Sequence, residues 1–577
     1  MVAEGDGAVA QSGSEASHST SSPRIVVERD AKGFYDDAAD VVVVGFGCAG
    51  ASAALQANEL GGDVLVVDRF DGGGATRYSG GIYYAGNTKY QKQAGFEDSV
   101  EEMYKYLSLD VRDAVKPETL RRFCETSSES IEWLGAHGVP FESSAFTGKR
   151  VFPPDGKHLY YSGNEKVPSY MTVAKPAPRG HRAVGKGNFC GYAFFDALRS
   201  SIEQSPIRVQ THSRVDALIV NGEGRVVGVE MLVLENEADQ RTHQKLYRKV
   251  NPHQPFGAMK AERAIARARK LEDGKSVRKR VRAERGVVLS TGGFVYNLDM
   301  MRENLPVLAN TFKTMMRLGS MGCDGSGIQL GRAAGGATGY MQRPFVSQLL
   351  NPPDAKTEGI LVNAQGQRFV NEDVYCSVLG DRIIEQPKAM AWLLLDNTTF
   401  RRVVQQSISN KEGTRKLFGL PTLLNMMFGK MKVAKSLDRL GRKLKMPAGA
   451  LDVTVAKFNR DCREGRADAQ GKNPDYVRPL GEGPYWALDL SLHNTFAFNS
   501  CFSLGGLKVD EERGLVLREN GSAIEGLYAA GRAAVGICSD GYFSGLSLAD
   551  GVFSGRRAAY DAMERHSKTD RDEKLTA

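Results

Sequence analysis

The feature that most constrains this chain is a strand, glycine turn and helix pattern that starts at Asp40. The run Asp40–Val44 (DVVVV) is wholly apolar after its first residue, as in a buried parallel strand. It is followed by Gly45–Gly50 (GFGCAG), a helical segment and a second apolar run that ends at Asp68. Asp68 lies 23 residues after Gly45, near the ~20 residues that separate the glycine motif from the acidic residue in dinucleotide-binding units. The pattern predicts a Rossmann-like α/β domain that binds a dinucleotide.

Each member of this motif has a physical role. Gly45 permits a tight turn, Gly47 lets the backbone approach a diphosphate, and Gly50 lets the helix pack closely on the strand. The N-terminus of the helix carries partial positive charge, which favours a diphosphate. Asp68 can accept hydrogen bonds from the hydroxyls of the adenosine ribose.

Glycine-rich segments farther along the chain indicate which dinucleotide is bound. The loop after Asp68 (RFDGGGATRYSGG) is richer in Gly, Ser and Thr than a simple NAD dehydrogenase needs. Gly286–Phe294 and Gly526–Arg532 are short apolar runs that meet small residues. Ile207–Met231 is predicted to form strands around a turn, with Val215 at the start of the second strand. Such returning strands suit FAD, whose flavin must pass further backbone segments, so we expect FAD as the cofactor.

Length and composition set the class of the protein. The 577 residues are 41% apolar and 25% charged, which is ordinary for a globular protein with a large core and excludes wholesale disorder. We expect two or three domains, after a disordered tail over residues 1–30 that is rich in Ser, Gly and Ala. No apolar run reaches the ~18 residues of a membrane-spanning helix, and no signal-peptide core is present. The eight cysteines form no CxxC pair and the nine histidines form no metal-ligand cluster, so we expect a cytoplasmic protein without a metal site.

Positive charge is concentrated in one segment. Residues 241–285 contain 15 Lys and Arg against 4 Asp and Glu, so their net charge of +11 exceeds the +8 of the whole chain. The segment is predicted to be helical from about Met259. Nucleic acid or an anionic lipid surface could bind such a segment, but no zinc finger, RNA-binding signature or interleaved aromatic residue accompanies it. A solvated helical face, inserted into the dinucleotide-binding domain, is favoured, and no nucleic-acid partner is expected.

Taken together, these segments resemble the fumarate reductase/succinate dehydrogenase flavoprotein superfamily. The resemblance covers about residues 40–559, and its carriers are VVVVGFGCAGASAA, GGGATRYSGG, VVLSTGGF, GCDGSGIQLGRAAG, LVNAQGQRFVNED, SLGGLKVD, GLYAAGR and SLADGVFSGRRAA. It implies an α/β fold in which a Rossmann-like FAD-binding domain, residues 31–296 and 473–577, contains an inserted α+β capping domain, residues 297–472. Substrate would lie between the cap and the flavin.

The resemblance also implies the residues that contact the cofactor. FAD would be held non-covalently, because nothing in the sequence identifies a covalent attachment. Many relatives carry Glu where this chain has Arg532, which leaves the contact at that position open. The implied FAD contacts are Gly45, Gly47, Gly50, Asp68, Ala75, Thr76, Ser79, Gly80, Gly81, Val215 through its backbone, Gly292, Asp324, Gly531, Ser547 and Leu548.

The cationic residues that fumarate-type enzymes of the superfamily use to hold two carboxylates are missing. Bidentate Arg contacts serve that role, and an Arg also delivers the proton in those relatives. Those relatives carry an Arg a few residues after the segment that corresponds to Arg368–Glu372, where this chain has Cys376, and the loop Asp540–Leu548 contains no cation. The early cap segment Gln342–Leu350 lacks the expected His and offers only Arg343. Fumarate reduction is therefore disfavoured.

Hydroxyl and apolar side chains take the place of these cations. Tyr542 and Ser544 lie two residues apart in a Tyr-x-Ser-Gly-x-Ser-Leu segment, which is similar to that of the 3-ketosteroid Δ4-(5α)-dehydrogenases of the superfamily. The resemblance implies that α-proton abstraction and hydride transfer to flavin N5 introduce a C=C bond next to the ketone of a steroid. Tyr542 would donate to the oxygen where enolate charge grows, and Tyr375 and Ser544 would carry the proton away.

Other functions stay open from the sequence. The same site would suit a 3-ketosteroid Δ1-dehydrogenase or a flavin-dependent enone reductase that works in reverse. It would suit less well a fumarate-type organic-acid reductase or a flavoprotein without turnover. A separate electron acceptor is expected, since no haem or iron–sulfur motif is present. The apolar segment Phe418–Phe428, with Lys430, Lys432 and Lys435 close behind it, suggests peripheral membrane contact through residues 418–435, although a helical edge over the core is favoured.

Overall fold

The computed structural model describes residues 23–29, 33–253, 257–311, 314–409 and 415–576. The strands are β1 (Arg24–Val27), β2 (Asp37–Val44), β3 (Val64–Val67), β4 (Ile82–Tyr84), β5 (Ala145–Lys149), β6 (Leu159–Tyr161), β7 (Gly180–Arg182), β8 (Arg208–Gln210), β9 (Ser213–Val220), β10 (Val226–Val233), β11 (Val277–Leu289), β12 (Met316–Arg317), β13 (Thr338–Gly339), β14 (Pro344–Ser347), β15 (Ile360–Val362), β16 (Trp392–Leu395), β17 (Lys432–Ala434), β18 (Tyr485–Asp489), β19 (Ser500–Ser503), β20 (Gly506–Leu507), β21 (Leu515–Leu517) and β22 (Ala523–Ala529).

The helices are distributed between and after these strands. They are α1 (Cys48–Glu59), α2 (Gly74–Arg77), α3 (Lys89–Gln93), α4 (Val100–Val111), α5 (Pro117–Ala136), α6 (Pro168–Met171), α7 (Gly191–Glu203), α8 (Glu237–Arg248), α9 (Gly257–Lys275), α10 (Leu298–Asn304), α11 (Pro306–Ala309), α12 (Ser326–Ala333), α13 (Cys376–Ile384), α14 (Asn397–Ile408), α15 (Leu420–Phe428), α16 (Leu437–Leu444), α17 (Ala450–Arg463) and α18 (Leu546–Thr576). No helix in the described ranges is long and apolar enough to cross a membrane.

The dinucleotide-binding pattern forms the centre of the largest sheet. The valines of β2 and β3 are buried, as expected for parallel strands that are covered on both faces. β2 lies parallel between β3 and β11, with Val41 opposite Val64 and Gly286. The strand order is β1-β9-β10-β11-β2-β3-β8, and β22 pairs with β11 and β21. The predicted order of strand, glycine turn, helix and strand is confirmed.

Part of the predicted disordered tail belongs to this sheet. β1 pairs in parallel with β9, with Arg24 opposite Ala217, so the prediction of a disordered tail over residues 1–30 is wrong for Arg24–Val27. Three of these four residues are β-branched, which suits a strand at the edge of an existing sheet. The Ser-rich composition before them concealed this short strand. Residues 1–22 and 30–32 lie outside the described residues.

The basic segment contains a strand where the sequence predicts a continuous helix. α9 ends at Lys275, and β11 begins at Val277 in the middle of the predicted helical run. Val281 and Ala283 are buried, whereas the intervening Arg282 is exposed. This alternation has the period of a strand, but the density of Lys and Arg in the segment concealed it.

A separate four-stranded sheet lies in the region predicted as the cap. β15, β16, β18 and β17 pair in that order and all pairs are antiparallel. β18 (Tyr485–Asp489) comes after residue 472, so this sheet extends beyond the predicted cap of residues 297–472. The division into two domains otherwise stays a prediction. Two further small sheets, β4-β7-β6-β5 and β12-β19-β14, carry residues that line the site described next.

Candidate active site

One cavity joins the glycine motif to the predicted catalytic residues. It begins at the carboxyl ends of β2 and β3, where Gly45, Gly47 and Asp68 line it, and it extends to Tyr375 and Tyr542. Its volume is about 290 Å³. Ligands of open α/β sheets bind outside the carboxyl ends of the strands, so the cavity lies where the sequence pattern places a dinucleotide.

Most of the predicted cofactor residues line this cavity. They come from the glycine turn, the segment after β3, the start of β9, the turn after β11, the turn after β22 and the beginning of α18. The predicted residues in the lining are Gly45, Gly47, Asp68, Ala75, Thr76, Ser79, Gly80, Val215, Gly292, Gly531, Ser547 and Leu548.

Three predicted cofactor residues do not line the cavity and have other roles. Gly50 is a packing glycine, since a Cβ at this position would overlap the carbonyl oxygen of Gly45. Gly81 has a φ of +65°, a left-handed conformation that glycine adopts without strain. Asp324 accepts a hydrogen bond from Arg69 Nη1 at 2.6 Å. Direct cofactor contact at these three positions stays a prediction.

The turn after β2 is shaped to receive a diphosphate. Gly45 has a φ of +107°, and a Cβ there would lie 2.7 Å from the carbonyl oxygen of Ser290. Gly47 precedes α1, whose first residue, Cys48, donates its N–H to Thr76 Oγ1 at 2.9 Å. All of these residues line the cavity, so the positive end of α1 is directed to where a diphosphate would bind. The residues present fit the dinucleotide that the motif predicts.

Asp68 is fixed at the end of β3 by two backbone donors. Its Oδ2 accepts the N–H of Phe46 at 2.7 Å, and its Oδ1 accepts the N–H of Phe70 at 2.8 Å. Burial raises the pKa of Asp68, whereas these backbone donors oppose that shift. An ionised carboxylate has about four acceptor sites, so acceptor capacity remains for the ribose hydroxyls.

Tyr542 lies in an aromatic wall at the other end of the cavity. Its ring centre lies 4.8 Å from that of Phe345 and 5.0 Å from that of Phe502, both in edge contacts. Phe345 on β14 and Phe502 on β19 are paired residues, and their rings stack at 4.5 Å. The main-chain carbonyl of Tyr542 accepts the Ser377 hydroxyl at 2.6 Å. Sequence reasoning missed the two phenylalanines, because no local motif connects strands so far apart in the chain.

Ser544 is buried and is held by two residues from the β6 region. The Tyr160 hydroxyl lies 3.4 Å from Ser544 Oγ and 2.9 Å from the carbonyl oxygen of Val151, to which it donates. The Ser162 hydroxyl donates to the main-chain carbonyl of Ser544 at 2.9 Å. Because a phenol has one hydrogen, Ser544 is left as the donor in its contact with Tyr160.

Tyr375 immediately precedes α13 and is 6% exposed. Its N–H donates to Asn164 Oδ1 at 2.7 Å. Asn164 therefore continues the series of Tyr160 and Ser162, so three alternate residues support the two segments that carry Tyr375 and Ser544. Sequence reasoning missed this series. No local pattern marks it, because Tyr160 lies on β6 whereas Asn164 lies in the bend after that strand.

Burial raises the pKa of both cavity tyrosines, Tyr375 and Tyr542, above the ordinary phenol value. The positive charge of Arg532 opposes this effect at Tyr542. The Arg532 guanidinium carbon lies 4.7 Å from the centre of the Phe502 ring, and Arg532 lines the cavity. Both phenols are therefore protonated at neutral pH and act as hydrogen-bond donors. Neither phenol is ionised before the reaction, so a hydroxyl that takes up a proton from the substrate must release its own proton in the same step.

The cavity lacks the cations that a dicarboxylate would need. Arg343, the one Arg that the sequence offered, does not line the cavity, and its Nε lies 2.6 Å from Asp540 Oδ1. Arg69 and Arg214, near Asp68, both pair with Glu272. Among the residues that the structure describes, Arg532 is the cation beside the aromatic wall. One guanidinium cannot hold two carboxylates, each by bidentate contact.

Comparison with known proteins identifies the family of this chain. A family model described as an FAD binding domain matches residues 40–545. This chain belongs to the FAD-binding domain family. The predicted cofactor, FAD, and the predicted α/β class are confirmed. The chain is an FAD-dependent oxidoreductase by its membership and by the relatives that follow.

Relatives within the FAD-binding domain family include steroid dehydrogenases. The chain is 37% identical over 508 residues to the 3-oxo-5-alpha-steroid 4-dehydrogenase of Comamonas testosteroni, covering 86% of this chain and 93% of that protein. The crystal structure of 3-ketosteroid-delta4-(5alpha)-dehydrogenase from Rhodococcus jostii RHA1, in complex with 4-androstene-3,17-dione, matches with a TM-score of 0.76 and 31% identity. That match covers 94% of this chain and 99% of the other.

A more distant structure shares the fold alone. The 3-ketosteroid delta1-dehydrogenase from Sterolibacterium denitrificans, in complex with 1,4-androstadiene-3,17-dione, matches with a TM-score of 0.63 and 19% identity. The match covers 92% of this chain and 100% of that one. The expected membership of the flavoprotein superfamily, and its resemblance to the Δ4-(5α) branch, are confirmed by the two closer matches.

Proposed function

We propose that this chain dehydrogenates a 3-ketosteroid with FAD and introduces the Δ4 double bond of a 5α-3-ketosteroid. The observation that carries the proposal is the placement of Tyr375, Tyr542 and Ser544 in one cavity with the FAD-binding turn. The 37% identity with a 3-oxo-5-alpha-steroid 4-dehydrogenase supports the substrate class. The aromatic wall around Tyr542 also supports this substrate class, because a steroid is large and apolar.

The two ends of the reacting bond need different groups. Loss of the α-proton next to the ketone builds negative charge on the carbonyl oxygen, and a phenol donor placed there stabilises it. We assign this role to Tyr542, together with a backbone N–H of residues 545–548. The chemistry that FAD would supply when bound is uptake of the hydride from the β-carbon.

Hydroxyl groups in the cavity would take the α-proton from the substrate. Tyr375 and Ser544 are the hydroxyls that the cavity offers to the α-proton. Since both tyrosines are protonated at neutral pH, the hydroxyl that takes up the α-proton would release its own proton to solvent water in the same step. The phenylalanines around Tyr542 keep water from the enolate. A separate electron acceptor then reoxidises the flavin.

Steady-state turnover with an artificial electron acceptor tests this function. A 5α-3-ketosteroid should be oxidised, whereas succinate at the same concentration should not reduce the acceptor. The succinate arm distinguishes the proposal from a fumarate-type enzyme, and the steroid arm distinguishes it from a flavoprotein without turnover. Equal rates with succinate and steroid would refute the assignment.

We also propose that α15 rests on the surface of an anionic membrane. Met427 and Phe428 are exposed by 71% and 55%, although both are apolar. Lys430 and Lys432 follow, and their charge complements anionic headgroups. Leu417 and Phe418, just before this helix, line the cavity. A steroid dissolved in the bilayer would therefore meet the protein close to its site.

Vesicle co-sedimentation tests the membrane contact. The protein should sediment with phosphatidylserine-containing vesicles at low salt, and less so at high salt, because screening weakens basic contacts. Phe428→Gln should reduce sedimentation. Val453→Gln is the matched control, since Val453 is an apolar residue of α17 exposed by 72%. Equal sedimentation of the two variants, or none for the native protein at low salt, would exclude this surface.

A further inference from the structure

The most basic segment of the chain packs on the cofactor cavity. α8 and α9 leave the sheet after β10 and return to it at β11, and they pack against each other. The inward side chains of the pair, including Leu246, Tyr247, Ala264 and Ala268, belong to the main hydrophobic core. We call residues 237–253 and 260–275 the α8–α9 clamp. The charge that marked this segment in the sequence is carried by its outer face.

A buried carboxylate ties the clamp to the cofactor domain. Glu272 on α9 is 2% exposed. It accepts Arg69 Nε at 2.7 Å and Nη2 at 3.0 Å, and Arg214 Nη1 at 3.0 Å. His243 Nε2 lies 2.8 Å from the same carboxylate. These two arginines lower the pKa of Glu272 to about 2 against the effect of burial, so the carboxylate stays ionised.

Both arginines belong to the wall at the ribose end of the cavity. Arg69 follows Asp68 in sequence, Arg214 precedes Val215, and all four residues line the cavity. Arg69 also binds Asp324 at 2.6 Å, which fixes its guanidinium between two carboxylates. The clamp is therefore attached where the adenosine half of the dinucleotide would bind.

The clamp also contributes its own side chains to the cavity. Tyr247, Pro252 and His253 line it. The Tyr247 ring stacks on Phe70 at 4.6 Å. The His253 ring stacks on Phe189 at 3.6 Å, and its Nε2 lies 2.6 Å from the carbonyl oxygen of Tyr78. Burial lowers the pKa of His253 to about 4, so the ring is neutral and suits an aromatic cofactor surface.

We propose that the α8–α9 clamp is part of the cofactor site and retains FAD, with Tyr247 and His253 contacting the bound cofactor and Glu272 positioning the clamp. This assignment does not depend on which substrate the enzyme oxidises. It predicts firm binding without a covalent flavin bond, because FAD would be enclosed by the clamp as well as by the glycine turn.

Release of FAD from the holoenzyme, followed by the rise in flavin fluorescence after dilution, tests the proposal. His253→Ala removes one ring contact and should speed release about 2- to 10-fold. Glu272→Gln keeps the size of the side chain but removes the charge that faces two arginines, and it should speed release about 10- to 100-fold. Arg241→Ala is the matched control, since Arg241 lies on α8 with its side chain exposed by 72%.

Thermal unfolding of the apoprotein separates retention from a merely structural role. His253→Ala loses its contacts with Phe189 and Tyr78 and should unfold at a somewhat lower temperature as apoprotein, but the rise in unfolding temperature that added FAD produces should also be smaller than for the native protein. Release from His253→Ala and Glu272→Gln at the rate of Arg241→Ala would overturn the proposal. If Glu272→Gln does not fold, Glu272→Asp is used in its place. The Asp variant should release FAD faster than the native protein and more slowly than His253→Ala. Release from His253→Ala at the native rate would by itself refute the contact between His253 and FAD.

Discussion

The N–H of Tyr375 donates a hydrogen bond to Asn164 Oδ1 at 2.7 Å, which ties a catalytic candidate to the loop after β6. Asn164 is 1% exposed, and its Nδ2 donates to Tyr170 and Asp110. The same loop holds Ser544 through Ser162. The positions of both proton-accepting hydroxyls thus depend on one short segment.

Asn164→Leu should reduce kcat without loss of FAD. The variant leaves the buried N–H of Tyr375 without an acceptor, which costs about 1–3 kcal/mol of stability and lets Tyr375 shift. A displacement of about 1 Å at a reacting group can cost on the order of 10²-fold in rate. Turnover and flavin absorbance of the purified variant give the measurement.

Asn459→Leu is the control for that substitution. Asn459 is also buried, its side chain pairs with the backbone of Leu480, and neither residue lines the cavity. It should lose similar stability and keep its kcat. If both variants lose turnover equally, Asn164 has no special part in placing Tyr375.

Removing the hydroxyls one at a time should give a graded loss of activity. Tyr542→Phe removes a donor to the enolate oxygen and should cost roughly 10²–10³ in kcat. Tyr375→Phe removes a step of the proton path and should cost ~10²–10⁴. Ser544→Ala should cost less, because a neighbouring hydroxyl can replace a relay group. Bound flavin should be normal in all three.

Tyr485→Phe serves as the matched tyrosine control, since Tyr485 lies on β18 and does not line the cavity. Near-native turnover in both Tyr542→Phe and Tyr375→Phe would show that the two are core aromatics. Loss of FAD from either would make it a structural or cofactor residue instead.

The pH dependence of turnover follows from the buried phenols. A donor must be protonated, and burial keeps the pKa of Tyr542 above its ordinary value of 10.0. The protonated form is thus complete at neutral pH and is lost only as pH rises through the raised pKa. We expect no loss of kcat/KM from Tyr542 between about pH 7 and 10. An alkaline loss in this window that disappears in Tyr542→Phe would contradict the assignment.

Glu165 should make the protein less stable as pH rises. Burial raises the pKa of Glu165 from 4.5 to about 7 in the folded protein. The folded state therefore binds more protons than the unfolded state between these values, and stability falls as pH increases through them. The full effect is up to about 3 kcal/mol.

Glu165→Gln should abolish this slope, because Gln is neutral and can still accept the N–H of Gly163 as Glu165 does at 2.8 Å. The free energy of unfolding, measured with urea from about pH 5 to 8, should favour the variant increasingly toward pH 8. Glu519→Gln, at a side chain exposed by 78%, is the control and should follow the native curve. Parallel curves for Glu165→Gln and the native protein would exclude the effect.

Local patterns predicted the cofactor end of the site far better than its far end. Gly45, Gly47 and Asp68 act within one βαβ unit, so their spacing alone placed them at the cavity. Tyr542 and Ser544 were recognised because the resemblance covers their segment. Prediction of Phe345 and Phe502 as site residues would have required the pairing of β14 with β19, which no short motif encodes. The hydrogen bond between Tyr375 and Asn164 also depends on the fold and not on a local pattern.

Charge was the weakest guide to structure. The density of Lys and Arg before Val277 suggested a solvated helix, yet Glu272 of the same segment is buried against Arg69 and Arg214. The net charge of a segment cannot predict the ion pairs of Glu272 with Arg69 and Arg214, because only the fold brings these three residues together. For the same reason the sequence did not reveal that Asp324, which is predicted to contact FAD, also pairs with Arg69.

Identification of the product from a saturated 5α-3-ketosteroid tests the central claim most directly. The enzyme should be incubated with the steroid and an artificial electron acceptor, and the product resolved by chromatography and NMR. The account predicts one new double bond between carbons 4 and 5, conjugated with the ketone. A double bond between carbons 1 and 2 as the main product would contradict it and make the chain a Δ1-dehydrogenase.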